Sequence, residues 1–193
     1  MPRWEQGSEE RMKQAAMQLF QQQGFEATSA VQIAKLARVT TRTFFRYFPD
    51  KEEVLFADAA ALNEEIIQEL LRTDDLTQPL RVVTRTLAGY DWEKLGTREV
   101  MLQRRRLIAS NPRLLERDLI KQHQMADGLR RALCERGIDP DIAELAANTG
   151  SQVFRTAYRQ WLESSDHTDL PAITESVMSL LAAIVPEEPV PAR

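Results

Sequence analysis

Residues 28–52 read TSAVQIAKLARVTTRTFFRYFPDKE, two short helix patterns joined by a turn of a few residues. The first pattern starts at Thr28 or Ser29, and Ser29 followed by Gln32 matches a capping box. Its inward face is expected to be Val31, Ile33, Ala34 and Ala37. Arg38 and Val39 make the turn. Thr40 then caps a helix that runs to Tyr47, and Pro49 ends it. Asp50 with Glu53 repeats the capping-box pattern and opens a helix predicted from Lys51 to about Arg72. Upstream, Met12, Ala15, Ala16, Leu19 and Phe20 fall at i, i+3, i+4, i+7 and i+8, one apolar stripe of a helix from about Ser8 to Gln23. Gly24 supplies its stop.

A helix as short as Thr40–Tyr47 is marginal alone and needs an anchor. Phe44 and Phe48, at i and i+4, supply one by packing on Ala34, Ala37 and the first stripe. The face left over carries Thr41, Arg42, Thr43, Phe45, Arg46 and Tyr47. Two aromatics and two arginines are costly to leave in water without a purpose. The DNA major groove offers phosphates to Arg, Thr and Tyr, and base edges to Arg and Thr. A helical hairpin with a solvated charged face is the alternative.

The charge distribution favours DNA although the whole chain of 193 residues carries −4. Met1–Glu52 holds eight basic and six acidic residues, a net of +2, which leaves −6 for the remainder. Within Thr28–Lys51 five basic residues face Asp50 alone. A basic patch on an acidic body suits docking on phosphates.

Other function classes find little support. No apolar run approaches the ~18–20 residues that span a bilayer. Met1–Glu10 is polar and acidic, unlike a secretory signal. The single cysteine, Cys134, leaves no disulfide framework or cysteine cluster, and with only His123 and His167 a metal site is not expected. A reduced, cytoplasmic protein is the expectation. There is no glycine-rich phosphate loop, nucleophile elbow or metal-ligand spacing, and Glu64 and Glu65 are neighbours that cannot share one helix face. We therefore expect no enzyme and no cofactor.

Nine prolines punctuate the chain without breaking any segment of helical period. Beyond Pro79 the amphipathic stretches are Leu80–Tyr90, Thr97–Ser110, Arg113–Arg136, Pro140–Glu163 and Pro171–Val185. The fold class is all-α, with about nine helices. A three-helix DNA-binding domain is predicted over 1–52, a helical ligand-binding and dimerisation domain over 53–185, and a disordered tail over 186–193.

The chain resembles the TetR family of bacterial transcriptional regulators. The residues that carry the likeness are Ala15–Ala16, Leu19–Phe20, Gly24–Phe25, Thr28–Ser29, Ile33–Ala34, Val39–Thr40, Thr43–Phe44–Phe45, Tyr47–Phe48 and Lys51–Glu52, within about residues 8–56. The stretch Thr41–Pro49 is similar to an actinobacterial branch that includes mycofactocin-type regulators, some responsive to acyl-CoA. Two positions depart from the commonest family pattern. Arg42 stands where a small residue is common and is read as a guanine reader. Arg38 stands where glycine is frequent, and a positive φ there would cost on the order of 1 kcal/mol. Either the turn differs, or Arg38 offsets the cost through a phosphate.

The resemblance implies a homodimeric repressor that binds a palindromic DNA operator and responds to a ligand. An activator, or a ligand-binding or adaptor protein with a vestigial helix-turn-helix, is the alternative. By position, Thr28, Ser29 and Thr40 sit at helix N-termini that favour phosphate. Thr41, Arg42 and Thr43 would face bases, Phe45, Arg46 and Tyr47 would flank the backbone, and Lys51 would reach a phosphate. The family dimerises through its last two helices, which implies Ala146, Gly150, Val153, Ala157, Trp161, Val177 and Leu181 at the interface. A central pocket is implied at Leu62, Ile66, Leu87, Tyr90, Met101, Met125, Phe154 and Tyr158, for a small apolar or amphipathic effector such as an acyl-CoA. Arg104–Arg105–Arg106 would bind an anionic group or form a solvated face. The helix from Lys51 is the expected transmitter between ligand and DNA.

Overall fold

The computed structural model describes residues 6–164 and 169–184; the expected disordered tail at 186–193 lies outside them. Nine α-helices and no strand occur among the described residues: α1 (Gln6–Gln23), α2 (Ala30–Leu36), α3 (Thr41–Tyr47), α4 (Ala59–Arg72), α5 (Pro79–Gly89), α6 (Arg98–Ser110), α7 (Pro112–Glu135), α8 (Pro140–Glu163) and α9 (Leu170–Ile184). Their starts follow from local chemistry. Asn111 Oδ1 accepts the Arg113 and Leu114 N–H groups ahead of α7, and Asp139 Oδ1 accepts those of Asp141 and Ile142 at α8. A proline at the first helical position follows each cap, where its missing N–H costs nothing.

The helix predicted from Lys51 begins later. Residues Glu53–Phe56 form a short 3-10 turn, and α4 starts at Ala59. Val54, Leu55 and Phe56 are all buried, and three consecutive side chains cannot share one α-helical face. The Leu55 carbonyl accepts Arg104 Nε at 2.7 Å instead of an N–H of the next turn. Arg104 therefore belongs to the fold, neither a ligand site nor a solvated face.

The chain divides into two compact units, residues 1–60 with 103–118, and 61–102 with 119–193. The first unit thus reaches past residue 52 and recruits the end of α6 and the start of α7. Its core gathers Met12, Phe20, Ile33, Phe44 and Phe56 with Ile108 and Leu114.

In the second unit α8 packs on α5 and α9. Gly150 lies against α5: a Cβ there would stand 2.6 Å from Val83 Cγ1. The small residues of α8 thus admit a helix of the same chain. This corrects the expected dimer interface. Ala146, Gly150, Val153, Ala157, Trp161 and Val177 are buried inside their own protomer, and Leu181 packs against the same core. The outward apolar side chains of these helices are Ile142 and Leu145 on α8 and Leu180 and Ile184 on α9.

The eight residues expected to line a pocket all belong to this core. Trp92 fills its aromatic centre. The indole Nε1–H donates to the Leu87 carbonyl at 2.8 Å, and the Phe154, Tyr158 and Tyr90 rings lie 5.0, 5.0 and 5.3 Å away. The Tyr158 hydroxyl reaches Met101 Sδ at 3.1 Å. The expected cavity is closed here by aromatic packing, which itself is favourable. An open cleft of about 520 Å³ lies beside Ile66 and Tyr90, but Glu64, Glu65, Glu69 and Asp91 give it an acidic lining. The phosphates of an acyl-CoA would be repelled there.

Among the described residues no helix is long and apolar enough to cross a membrane, and no cluster of His, Cys, Asp or Glu is placed to hold a metal ion.

Candidate nucleic-acid interface

The α2 start is the full capping box: Ser29 Oγ accepts the Gln32 N–H at 3.3 Å, and the Ser29 N–H donates to Gln32 Oε1 at 2.8 Å. The end of α2 is a Schellman turn. The Arg38 N–H donates to the Lys35 carbonyl at 3.2 Å and the Val39 N–H to the Ala34 carbonyl at 2.9 Å. Arg38 has φ +56°, so the turn keeps the left-handed shape although glycine is missing. Arg11 holds the same corner from α1, its Nε donating to the Ala37 carbonyl at 3.3 Å and Nη2 to Ser8 Oγ at 3.0 Å. The sequence reading missed Arg11. Its place one turn before Ala15 marks the edge of the stripe, but a backbone acceptor leaves no signature in sequence.

Thr40 Oγ1 accepts the Thr43 N–H at 3.0 Å and opens α3. Phe44 and Phe48 are buried, their ring centres 5.4 Å apart. Burying two phenyl groups explains how a seven-residue helix persists. Arg42, Phe45 and Arg46 are exposed, while Thr41, Thr43 and Tyr47 are half-buried. The Arg46 guanidinium sits 5.2 Å from the Tyr47 ring centre. No acidic residue occurs between Ala27 and Pro49. The result is a face with cations, hydroxyls and one exposed phenyl ring.

Three expectations need correction. Thr28 is buried, and its hydroxyl donates to the Gly24 carbonyl at 2.8 Å, closing the α1–α2 turn instead of facing out. Lys51 does not project freely. Its ammonium donates to the carbonyls of Phe25 and Thr28 at 2.8 and 2.9 Å and lies 4.2 Å from the Phe25 ring centre. It ties the chain after α3 to the chain before α2. Val31, expected inward, is 59% exposed, because Ile33, Ala34 and Ala37 already fill that face.

Arg117 braces the segment that follows α3. It makes two bonds of 2.8 Å to the Asp50 carboxylate and one of 2.9 Å to Glu53 Oε2. Asp50 Oδ1 also accepts the Glu53 N–H at 2.7 Å. Partial burial pushes the Asp50 carboxyl up, but the Arg117 guanidinium and the Glu53 N–H outweigh it and hold the carboxyl below its ordinary value. A depressed folded-state value gives stability that is present above the unfolded value and lost as pH falls through the folded one. Asp50→Asn keeps the N–H acceptor and removes the charge. It should lower the melting temperature at neutral pH by a small amount, since solvent screens the pair. That deficit should shrink in acid below the ordinary aspartate range. Thermal scans across pH check this, and a deficit that persists unchanged in acid would deny the ion pair its role.

Comparison with known proteins places this geometry. Residues 14–57 match the family model described as bacterial regulatory proteins, tetR family. The chain is similar to the HTH-type transcriptional regulator TcmR of Streptomyces glaucescens, 31% identical over 182 residues, covering 89% of this chain and 80% of the relative. Among solved structures, the TetR-family repressor FadR of Thermus thermophilus, in complex with lauroyl-CoA, has a TM-score of 0.58 at 24% identity and covers 96% of this chain and 98% of its own. NalD of Pseudomonas aeruginosa, a repressor of a multidrug efflux pump, has a TM-score of 0.61 at 17% identity, covering 93% and 96%.

Proposed function

Because this chain belongs to the tetR family of bacterial regulatory proteins, transcriptional regulators and not enzymes, we propose that it is a repressor whose homodimer grips a palindromic DNA operator and lets go when a small effector binds. The observation that carries the reading is the α3 face: Arg42, Phe45 and Arg46 stand exposed over a buried Phe44–Phe48 anchor. Arg42, Thr41 and Thr43 are assigned to base edges, and Arg46, Tyr47, Phe45, Ser29 and Thr40 to the flanking backbone. Thr28 and Lys51 support this surface from behind.

A palindrome needs a two-fold protein. Support for a dimer comes from the outward side chains Ile142 and Leu145 of α8 and Leu180 and Ile184 of α9. The two helices are consecutive and packed together, so they run antiparallel and bring these residues toward one end. A second copy would cover them, forming a four-helix contact.

The effector is assigned to the aromatic core, where Leu62, Ile66, Leu87, Tyr90, Met101, Met125, Phe154 and Tyr158 surround Trp92. To enter, an apolar or amphipathic molecule must part these rings, which makes binding a conformational change. Three helices, α4, α6 and α7, run from one compact unit into the other. The change can reach α3 through them, with Arg117 on Asp50 and Glu53 as the last link.

Selection of duplexes from a random pool by the wild-type chain tests the reading. An inverted repeat is expected, bound with steep salt dependence because several phosphates per subunit are neutralised. Recovery of no common sequence would sink it. Lauroyl-CoA, which the FadR structure holds, is the probe for the effector. Linkage requires that operator DNA weaken its binding by the factor with which it weakens operator binding, about 5–150-fold. Equal calorimetric affinity with and without operator would remove lauroyl-CoA as the inducer.

A further inference from the structure

The chain closes two helices with the same Schellman turn and treats them differently. At the end of α7, Gly137 takes φ +87°, with its N–H on the Cys134 carbonyl at 2.9 Å and the Ile138 N–H on the Leu133 carbonyl at 3.1 Å. Gly24, which ends α1, has φ +84°. At the end of α2 the left-handed position is Arg38, the sole non-glycine with positive φ among the described residues. A Cβ in that region crowds the following carbonyl, which glycine avoids. The arginine brings no compensating contact within the protein. It is exposed, has no hydrogen-bond or ion-pair partner among the described residues, and no acidic residue lies between Ala27 and Pro49.

The turn does not depend on the arginine side chain for its shape. The two Schellman bonds fix it, Arg11 holds the Ala37 carbonyl, and Ala34 and Ala37 are buried beneath it. The side chain at position 38 is therefore free of structural duty. It stands between Lys35 and Arg42, two further exposed cations without partners among the described residues. A delocalised, weakly hydrated guanidinium carried on a rigid turn suits bidentate contact with phosphate.

We propose that Arg38 is a DNA-backbone clamp: its guanidinium binds an operator phosphate and fixes the register in which α3 enters the groove. The assignment rests on the DNA-binding reading above and adds a contact to it. Because the partner is a phosphate, the contact is blind to base sequence. Because the turn is held from behind, removing the side chain leaves the fold intact.

The test compares wild type with Arg38→Gly, Arg38→Asn and Arg38→Lys on a duplex selected by the wild-type chain and on a scrambled duplex. Glycine and asparagine both tolerate the left-handed region, so both variants should melt at or above the wild-type temperature. Both should bind every duplex more weakly, by about tenfold per half-site, the scale of one charge-assisted hydrogen bond. The slope of log affinity against log salt should become shallower by about 0.9 per subunit, one phosphate contact. Arg38→Lys should recover most of the affinity and the slope. Unchanged affinity and slope in the glycine and asparagine variants would overturn the proposal. So would a loss confined to one base position, which would make Arg38 a base reader. A drop in melting temperature together with weaker binding in both variants would also overturn it, by giving Arg38 a structural role. Failure of the wild-type chain to select any duplex would instead strike the DNA-binding reading itself.

Discussion

Arg42→Ala should cost about 1–3 kcal/mol per operator half-site and relax the sequence requirement at one base position. Arg42 is the second residue of α3, exposed, with no protein partner among the described residues. Truncating it removes no internal bond, so the fold should melt as before and the deficit should be one of binding. A long bidentate donor at the leading end of a helix suits guanine, whose O6 and N7 present two acceptors to the major groove. The effect should differ in kind from that of a backbone-binding residue. Removing a phosphate ligand weakens all duplexes alike, whereas removing a base reader narrows the gap between the selected duplex and its single-base variants. The measurement is a titration of both proteins against the selected duplex and each substituted one. If Arg42→Ala retains the parental affinities throughout, guanine is read elsewhere on the face, and Thr41 and Thr43 become the candidates.

The parts of this molecule that could be read from sequence are those fixed by neighbours three or four residues apart. Ser29 with Gln32, Thr40 with Thr43, the stop at Gly24 and the buried pair Phe44–Phe48 all rest on helix periodicity and local hydrogen bonding. The all-α fold followed from the same signals. What escaped were partners without a local signature. The acceptors of Lys51 and Arg11 are backbone carbonyls on other segments, and the partner of Arg117 is 67 positions away at Asp50. The delayed start of α4 was hidden because Asp50 and Glu53 do form a cap, but on a 3-10 turn. The orientation of α8 was ambiguous for a different reason. A helix with Ala146, Gly150 and Val153 on one side and Ile142 and Leu145 on another announces apolar surface without saying which side meets its own chain. Small residues admit any close helix, and here that helix is α5.

This ambiguity sets up the second large effect, in which two substitutions on one helix should fail in opposite ways. Leu145 and Leu180 are 68% and 59% exposed in the protomer, so glutamate at both positions disturbs no internal packing. The double variant Leu145→Glu with Leu180→Glu should remain folded and sediment as a monomer, because four like charges would meet where two copies are assigned to join. Recognition helices in a dimer sit about 34–36 Å apart or a multiple of that, and a monomer engages only one half-site at a time. Without the second, tethered half-site, operator affinity should fall by roughly 10²-fold or more. Gly150→Asp should do something else. Its Cβ would stand 2.6 Å from Val83 Cγ1, and the carboxylate would be driven into a closed apolar core. Overpacking of about 1–3 kcal/mol with an unpaired buried charge in addition should collapse the melting transition before assembly is in question. Sedimentation and thermal scans on both variants separate the cases. A stable dimer in the double glutamate variant would move the interface off the α8–α9 outer face, and a fully folded Gly150→Asp monomer would restore the buried side of α8 as the surface where subunits meet.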